Sequence, residues 1–297
     1  MKPETLAKLA CAYSGMVWGL FWIPLRTLEG TGITGLWATL VFCLAPLLFM
    51  SPALAWRWQR FRDGGLGLQL TGLVSAASLV FYSASVLYTE VVKAMLLFYL
   101  TPIWSTLLGR VVLGETITPV RWLAMALGLV GIVTIFGIDS GVPVPRNIGD
   151  WLALASGIMW AITAVRLRRE TNNAIELSNV NFLWSFVFAL GFLLIANQTP
   201  MPDWGTALPS LPWWMILMLI AIVSGPVTSI WGAKYLSPGI VGLLFMTEIS
   251  VGAVTAALWS GEPFGWREVA GILLISSAGV LESLWELWRD RKRPAAV

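Results

Sequence analysis

GIVGLLFMTEISVGAVTAAL, residues Gly239–Leu258, is an apolar run long enough to cross a bilayer, with one carboxylate, Glu248, near its middle. A helical crossing takes about 20 mostly apolar residues. An ionisable group at that depth costs roughly 2.5–3.5 kcal/mol on insertion scales, so it faces a bundle interior or a wet cavity rather than lipid. Nine further runs of this kind surround it in the chain. With it, they predict spans at 7–27, 33–50, 66–87, 91–109, 118–137, 149–168, 177–196, 212–233, 237–258 and 265–287. Gly, Pro and charge clusters such as Glu29-Gly30-Thr31-Gly32 and Asp63-Gly64-Gly65 separate most of them. Only Thr89-Glu90 and Leu236-Ser237-Pro238 mark the breaks before 91 and 237. The runs are continuous, without the alternation over roughly ten residues of a membrane barrel strand, so they read as helices.

Composition agrees. The chain is 57% hydrophobic and 12% charged, against about 25% charged in a soluble domain, which leaves too little polar surface for a water-soluble globule. The net charge of +3 does not point to nucleic acid, because the basic residues sit in short segments between apolar runs. Cys11 and Cys43 both fall inside apolar segments and imply no disulfide framework. The absence of histidine weighs against zinc, haem or a histidine relay. Lys2 and Lys8 precede the first run as in a signal peptide. That run is longer than the roughly 7–15 residues of a signal core and lacks a small-x-small cleavage site, so it is expected to be a retained first helix.

Charge bias tests the topology. With both ends cytoplasmic, the outer segments carry only Arg26, Lys93, Arg146 and Arg267, and the other 15 of the 19 basic residues lie inside. The positive-inside rule thus predicts an even number of spans. The runs at Arg57–Arg62, Arg166–Arg169 and Arg289–Arg293 read as topology determinants.

The two halves repeat. Ser14-Gly15-Met16-Val17-Trp18-Gly19 matches Ser156-Gly157-Ile158-Met159-Trp160-Ala161 at an offset of 142, and Leu113-Gly114-Glu115 matches Ser260-Gly261-Glu262 at 147. The second offset sets Thr101-Pro102 opposite Glu248-Ile249. Five spans per half put the second half into the membrane upside down. The expected fold is all-α and integral to the membrane: ten transmembrane helices as two inverted five-helix repeats, both termini cytoplasmic. Its parts are residues 1–138, a linker at 139–148, residues 149–288 and a basic tail at 289–297. Such repeats are a signature of secondary transporters, which bind substrate near the midplane between the repeats.

These features (SGxxW in the first helix of each half and a fourth helix ending in Leu/Ser-Gly-Glu) resemble the EamA-type members of the drug/metabolite transporter superfamily over nearly the whole chain. Within it the chain is similar to the YddG-type aromatic amino acid exporters. The resemblance implies that spans 1, 3, 4, 6, 8 and 9 line a central cavity while 5 and 10 lie outside it. It also implies export of aromatic and other bulky neutral amino acids from a bacterial cytoplasm. One departure is Glu248-Ile249, where the family often has Glu-Pro.

Glu248 reads either as the partner of a substrate amine or a coupling proton, or as a neutral carboxyl gluing helices together. Trp18 and Trp160 occupy matching mid-membrane positions, suited to stacking and cation–π contact, although packing beside Gly15 and Gly157 explains them too. Ser78, Tyr82, Tyr99, Thr101, Ser224, Thr228 and Phe245 complete the candidate cavity set, and some of these polar groups must be interhelical hydrogen bonds. By the resemblance, Tyr82, Tyr99 and Phe245 are better candidates than Asn181. Pro24, Pro102 and Pro226 are hinge candidates, since proline removes a backbone hydrogen bond and broken helices line transporter cavities. The expectation is a carrier that alternates access around this cavity. It needs no cofactor or metal, no catalytic residue and no nucleic acid, takes a small-molecule substrate within the lipid bilayer, and functions as a monomer. No nucleotide-binding loop is present to let ATP drive it. The rivals are a hydrophobic-cation exporter of the same superfamily and, remotely, an intramembrane enzyme.

Overall fold

In the computed structural model, residues 3–86, 88–89, 91–136, 144–196, 200–260 and 265–292 are described. The Gly261-Glu262 end of the second repeat motif, residues 139–143 of the expected linker and residues 293–297 of the basic tail lie outside them. Among the described residues the chain is helical throughout, with no strand. The elements are α1 (Pro3–Gly19), α2 (Trp22–Gly30), α3 (Gly35–Trp56), α4 (Trp58–Asp63), α5 (Gly65–Ser85), α6 (Val91–Phe98), α7 (Thr101–Leu113) and α8 (Pro119–Phe136). They continue as α9 (Ile148–Arg169), α10 (Ala174–Ala196), α11 (Trp204–Ala207), α12 (Met215–Ala233), α13 (Pro238–Phe245), α14 (Thr247–Ser260) and α15 (Trp266–Lys292).

Eight helical stretches are long and apolar enough to cross a membrane: Pro3–Gly30, Gly35–Trp56, Gly65–Ser85, Lys93–Leu113, Ile148–Arg169, Ala174–Ile195, Met215–Ala233 and Pro238–Trp259. The outside of the bundle is apolar, with Ile195 86% and Val111 81% exposed. This surface suits lipid, where every backbone polar group must be satisfied within its own helix.

Three of these stretches bend through tight turns, where hydrogen bonds step from four residues back to three. Leu20 and Phe21 donate to Val17 and Trp18 between α1 and α2, Ile103 donates to Leu100 between α6 and α7, and Met246 and Ile249 donate to Leu243 and Met246 between α13 and α14. Proline does not by itself decide where the breaks fall. Pro24 lies in the first turn of α2 and Pro102 at the start of α7, but α12 runs unbroken through Pro226, and α13 breaks without a proline. Pro102 has no N–H for the Phe98 carbonyl, and the Thr101 hydroxyl donates to that carbonyl instead. Thr247 likewise donates to Leu244 at 2.8 Å.

Glycines let the helices reach these breaks. A Cβ on Gly157 would lie 2.8 Å from the Phe98 carbonyl oxygen, so α9 seats on the α6–α7 turn. A Cβ on Gly15 would lie 2.1 Å from the Thr247 hydroxyl, so α1 seats on the α13–α14 turn. Elsewhere α5 packs on α9 and α10, α1 on α12, and α8 along α15.

Candidate functional site

The breaks, their seated helices and α5, α10 and α12 enclose a central cavity. Trp18 and Phe21 come from the α1–α2 turn, Phe98 from the end of α6, and Phe245 and Glu248 from either side of the α13–α14 turn. Ser75, Ser78, Leu79 and Tyr82 face it from α5, Trp160 from α9, Asn181 from α10, and Pro226, Ser229 and Ile230 from α12. The cavity holds about 80 Å³, well under the roughly 300–1,000 Å³ of sites that engulf a drug-sized ligand. In this conformation it is contracted and must widen to take anything larger than a few waters.

Its walls are aromatic. Trp160 stacks on Phe245 at 5.3 Å between centroids with 25° between planes. Tyr82 lies against Phe98 at 4.8 Å, and Trp18 packs on Phe21 at 5.7 Å and Phe42 at 6.4 Å. Glu248 brings the one ionisable carboxylate to this lining. Its reach into the cavity follows from the α13–α14 turn: Thr247 is spent on the broken backbone, and Glu248 begins the next helix, its backbone seated against Gly19 of α1. Tyr99 is buried close enough to Glu248 to interact with it electrostatically. Its hydroxyl meets no partner in regular hydrogen-bond geometry. No lysine or arginine is among the lining residues.

Of the candidates read from the sequence, Trp18, Ser78, Tyr82, Trp160, Phe245 and Glu248 come together on this cavity, and Pro226 joins them as part of its wall. Tyr99 stands behind the wall. Thr101 is buried and holds the α6–α7 turn against the Gly157 carbonyl. Ser224 shares a 2.8 Å hydrogen bond with Tyr13, and Thr228 donates back to Ser224 and Gly225 within α12. Pro24 and Pro102 border breaks but not the cavity. The sequence reading left out Ser75, although Ser75, Ser78 and Tyr82 share a helical face at spacings of three and four. It ranked Asn181 below the aromatics, yet an amide at membrane depth is itself a signal.

The two ends of the bundle are held by ion pairs. Asp150 is fully buried at the start of α9, where Lys93 pairs with it at 2.5 Å, the Thr89 hydroxyl donates to it, and the Arg146 N–H donates to it at 2.8 Å. Asn147 completes a capping box with it. Toward the other end, Arg57 pairs with buried Glu176 at 2.6 Å and Arg121 with Glu115 at 3.7 Å. There Arg121 also donates to Ser237 at 3.0 Å. Burial pulls the Glu170 carboxyl upward, but donors from Asn172, Thr71 and Thr171 outweigh it and hold that carboxyl below its ordinary range. A second pocket of about 300 Å³ opens among Glu4, Arg121, Arg168, Ser237 and Ile240. Among the described residues no cluster of three or more cysteine or carboxylate groups could hold a metal ion.

Comparison with known proteins gives this cavity its context. The EamA-like transporter family profile matches twice, at residues 5–137 and 147–281. An uncharacterized transporter of Pseudomonas aeruginosa is 23% identical, covering 94% of this chain and 93% of its own. The chloramphenicol-sensitive protein RarD of the same organism is 24% identical, covering 81% of this chain and 79% of its own. A solved crystal structure shares the fold at a TM-score of 0.73 and 16% identity, over 94% of this chain and 98% of its own. The chain belongs to the EamA-like transporter family, as a multi-pass membrane transporter.

Proposed function

We propose that this protein exports aromatic and other bulky neutral amino acids across a bacterial inner membrane, by alternating access to the central cavity. The observation that carries this reading is the cavity lining itself: Trp18, Tyr82, Phe98 and the Trp160–Phe245 stack line one cavity together with Glu248. An ammonium group is attracted both by a carboxylate and by aromatic faces, the latter by about 0.5–2 kcal/mol, and a substrate side chain stacks on what remains.

The two family matches and the paired seating of Gly15 and Gly157 on opposite breaks support two inverted repeats, with boundaries near 1–138 and 149–288. Charge bias supports cytoplasmic termini. Ten spans follow if α8 and α15 are counted with the eight apolar stretches. These two pack through Gly131 and Gly271, where a Cβ on Gly131 would lie 2.8 Å from the Gly271 carbonyl oxygen. One chain then encloses a whole pathway and works as a monomer.

The absence of a basic residue from the lining favours a second reading, export of hydrophobic cations. Counterflow of labelled Phe, Trp, Met and Thr into liposomes containing purified protein separates the two, with tetraphenylphosphonium as competitor. Saturable amino acid uptake above empty liposomes is expected. Uptake of labelled tetraphenylphosphonium in the same liposomes, with no amino acid moving, would replace the first reading with the second.

A further inference from the structure

The wall facing α14 carries a second polar group of a different kind. Ser75, Ser78 and Asn181 line the cavity at 6%, 4% and 5% exposure. Among the described residues none of the three side chains makes a hydrogen bond within the protein, and all three line the cavity. Their neighbours differ: Thr71 and Ser83 on the same helix donate to carbonyls four residues back. The cluster is also held in place. A Cβ on Gly72 would lie 2.2 Å from Val180, so α5 and α10 are in contact, and the Trp184 N–H donates across the same seam to Gln69 at 2.9 Å. Ser75 lies one turn beyond Gly72, Ser78 one turn further, and Asn181 follows Val180.

We propose that Ser75, Ser78 and Asn181 form a neutral subsite that receives the carbonyl-type oxygens of the substrate, a carboxylate or an amide, while Glu248 on the facing wall takes its amine. This rests on the amino acid reading above and deepens it. The cluster offers two hydroxyl donors and two amide N–H donors without a charge. It therefore recognises oxygen acceptors by hydrogen bonds, and selects amines that bear such an acceptor over those that do not. Hydrogen bonds to a charged acceptor are roughly twice as strong as neutral ones, so a carboxylate is accepted although no cation is present.

The test is equilibrium dialysis of labelled phenylalanine, phenylalaninamide and phenethylamine with purified protein. Wild type is expected to bind the first two at least tenfold more tightly than phenethylamine. Asn181→Leu should erase that preference, weakening phenylalanine and phenylalaninamide at least tenfold more than phenethylamine. Asn181→Asp should weaken phenylalanine at least tenfold through like-charge repulsion while sparing the amide. Ser78→Ala, a milder change, should lower both acceptor-bearing ligands together. Asn181 variants that affect all three ligands equally, or none, would overturn the subsite while leaving the amino acid reading intact. Wild type that binds phenethylamine alone, or none of the three, would overturn both.

Discussion

The two seams where a repeated helix meets a broken one are built alike and fastened differently. In one, α9 seats Gly157 on the α6–α7 turn; in the other, α1 seats Gly15 on the α13–α14 turn. The first is bolted at its end by Lys93 and Asp150. The repeat offsets of 147 and 142 place Ile240 and Lys8 at the matching positions, a pair that cannot form such a bridge. Ile240 instead borders the 300 Å³ pocket. The difference teaches that two matching seams need not be fastened alike: the α9 seam carries the buried Lys93–Asp150 pair, whereas the matching place on the α1 seam borders a polar pocket and that end is held elsewhere, by Arg57 and Glu176.

The largest expected stability effect is at the bolt. Lys93→Ala leaves Asp150 buried with donors but no counter-charge, and breaking such a pair costs about 3–5 kcal/mol. The remaining donors from Thr89, Arg146 and Asn147 hold the cost toward the lower figure. Thermal unfolding in detergent measures it, and a loss below about 1 kcal/mol, the figure for an exposed pair, would show that this bridge does not fasten the seam.

Smaller effects sharpen the contrast between the seats. Gly157→Ala forces a Cβ against a backbone oxygen at 2.8 Å, an overpacking that costs about 1–3 kcal/mol. Gly15→Ala meets chiefly the Thr247 hydroxyl, with backbone oxygens at 3.3 and 3.4 Å. Thr247→Ala should therefore rescue Gly15→Ala but not Gly157→Ala in the same unfolding assay. Equal rescue of both would mean that the two seats are not distinguished by what they touch.

Much of this was legible in the sequence. The SGxxW motifs marked the seats because only glycine at positions 15 and 157 allows backbone contact, and mid-span Glu248 marked the cavity because lipid does not tolerate a carboxylate. The breaks were less legible. Proline was the signal available, yet α12 passes Pro226 intact, while α13 breaks at Met246 without one. Whether Thr101, Thr228 and Ser224 face a cavity or a neighbouring backbone depends on helix rotation, which spans apolar on all sides do not record. The same ambiguity hid Ser75 and demoted Asn181.

The asymmetry also reaches the cavity. At the first break Thr101 is spent on the backbone, whereas at the second Thr247 takes that part and the next residue, Glu248, faces the cavity. The measurement that tests the account most directly is counterflow of labelled phenylalanine by Glu248→Gln beside wild type, at matched protein incorporation and unchanged thermal unfolding. The account predicts at least a tenfold loss of uptake, because the neutral amide keeps the shape of the carboxyl but not its charge. Uptake at the wild-type rate would show that the pathway does not depend on Glu248.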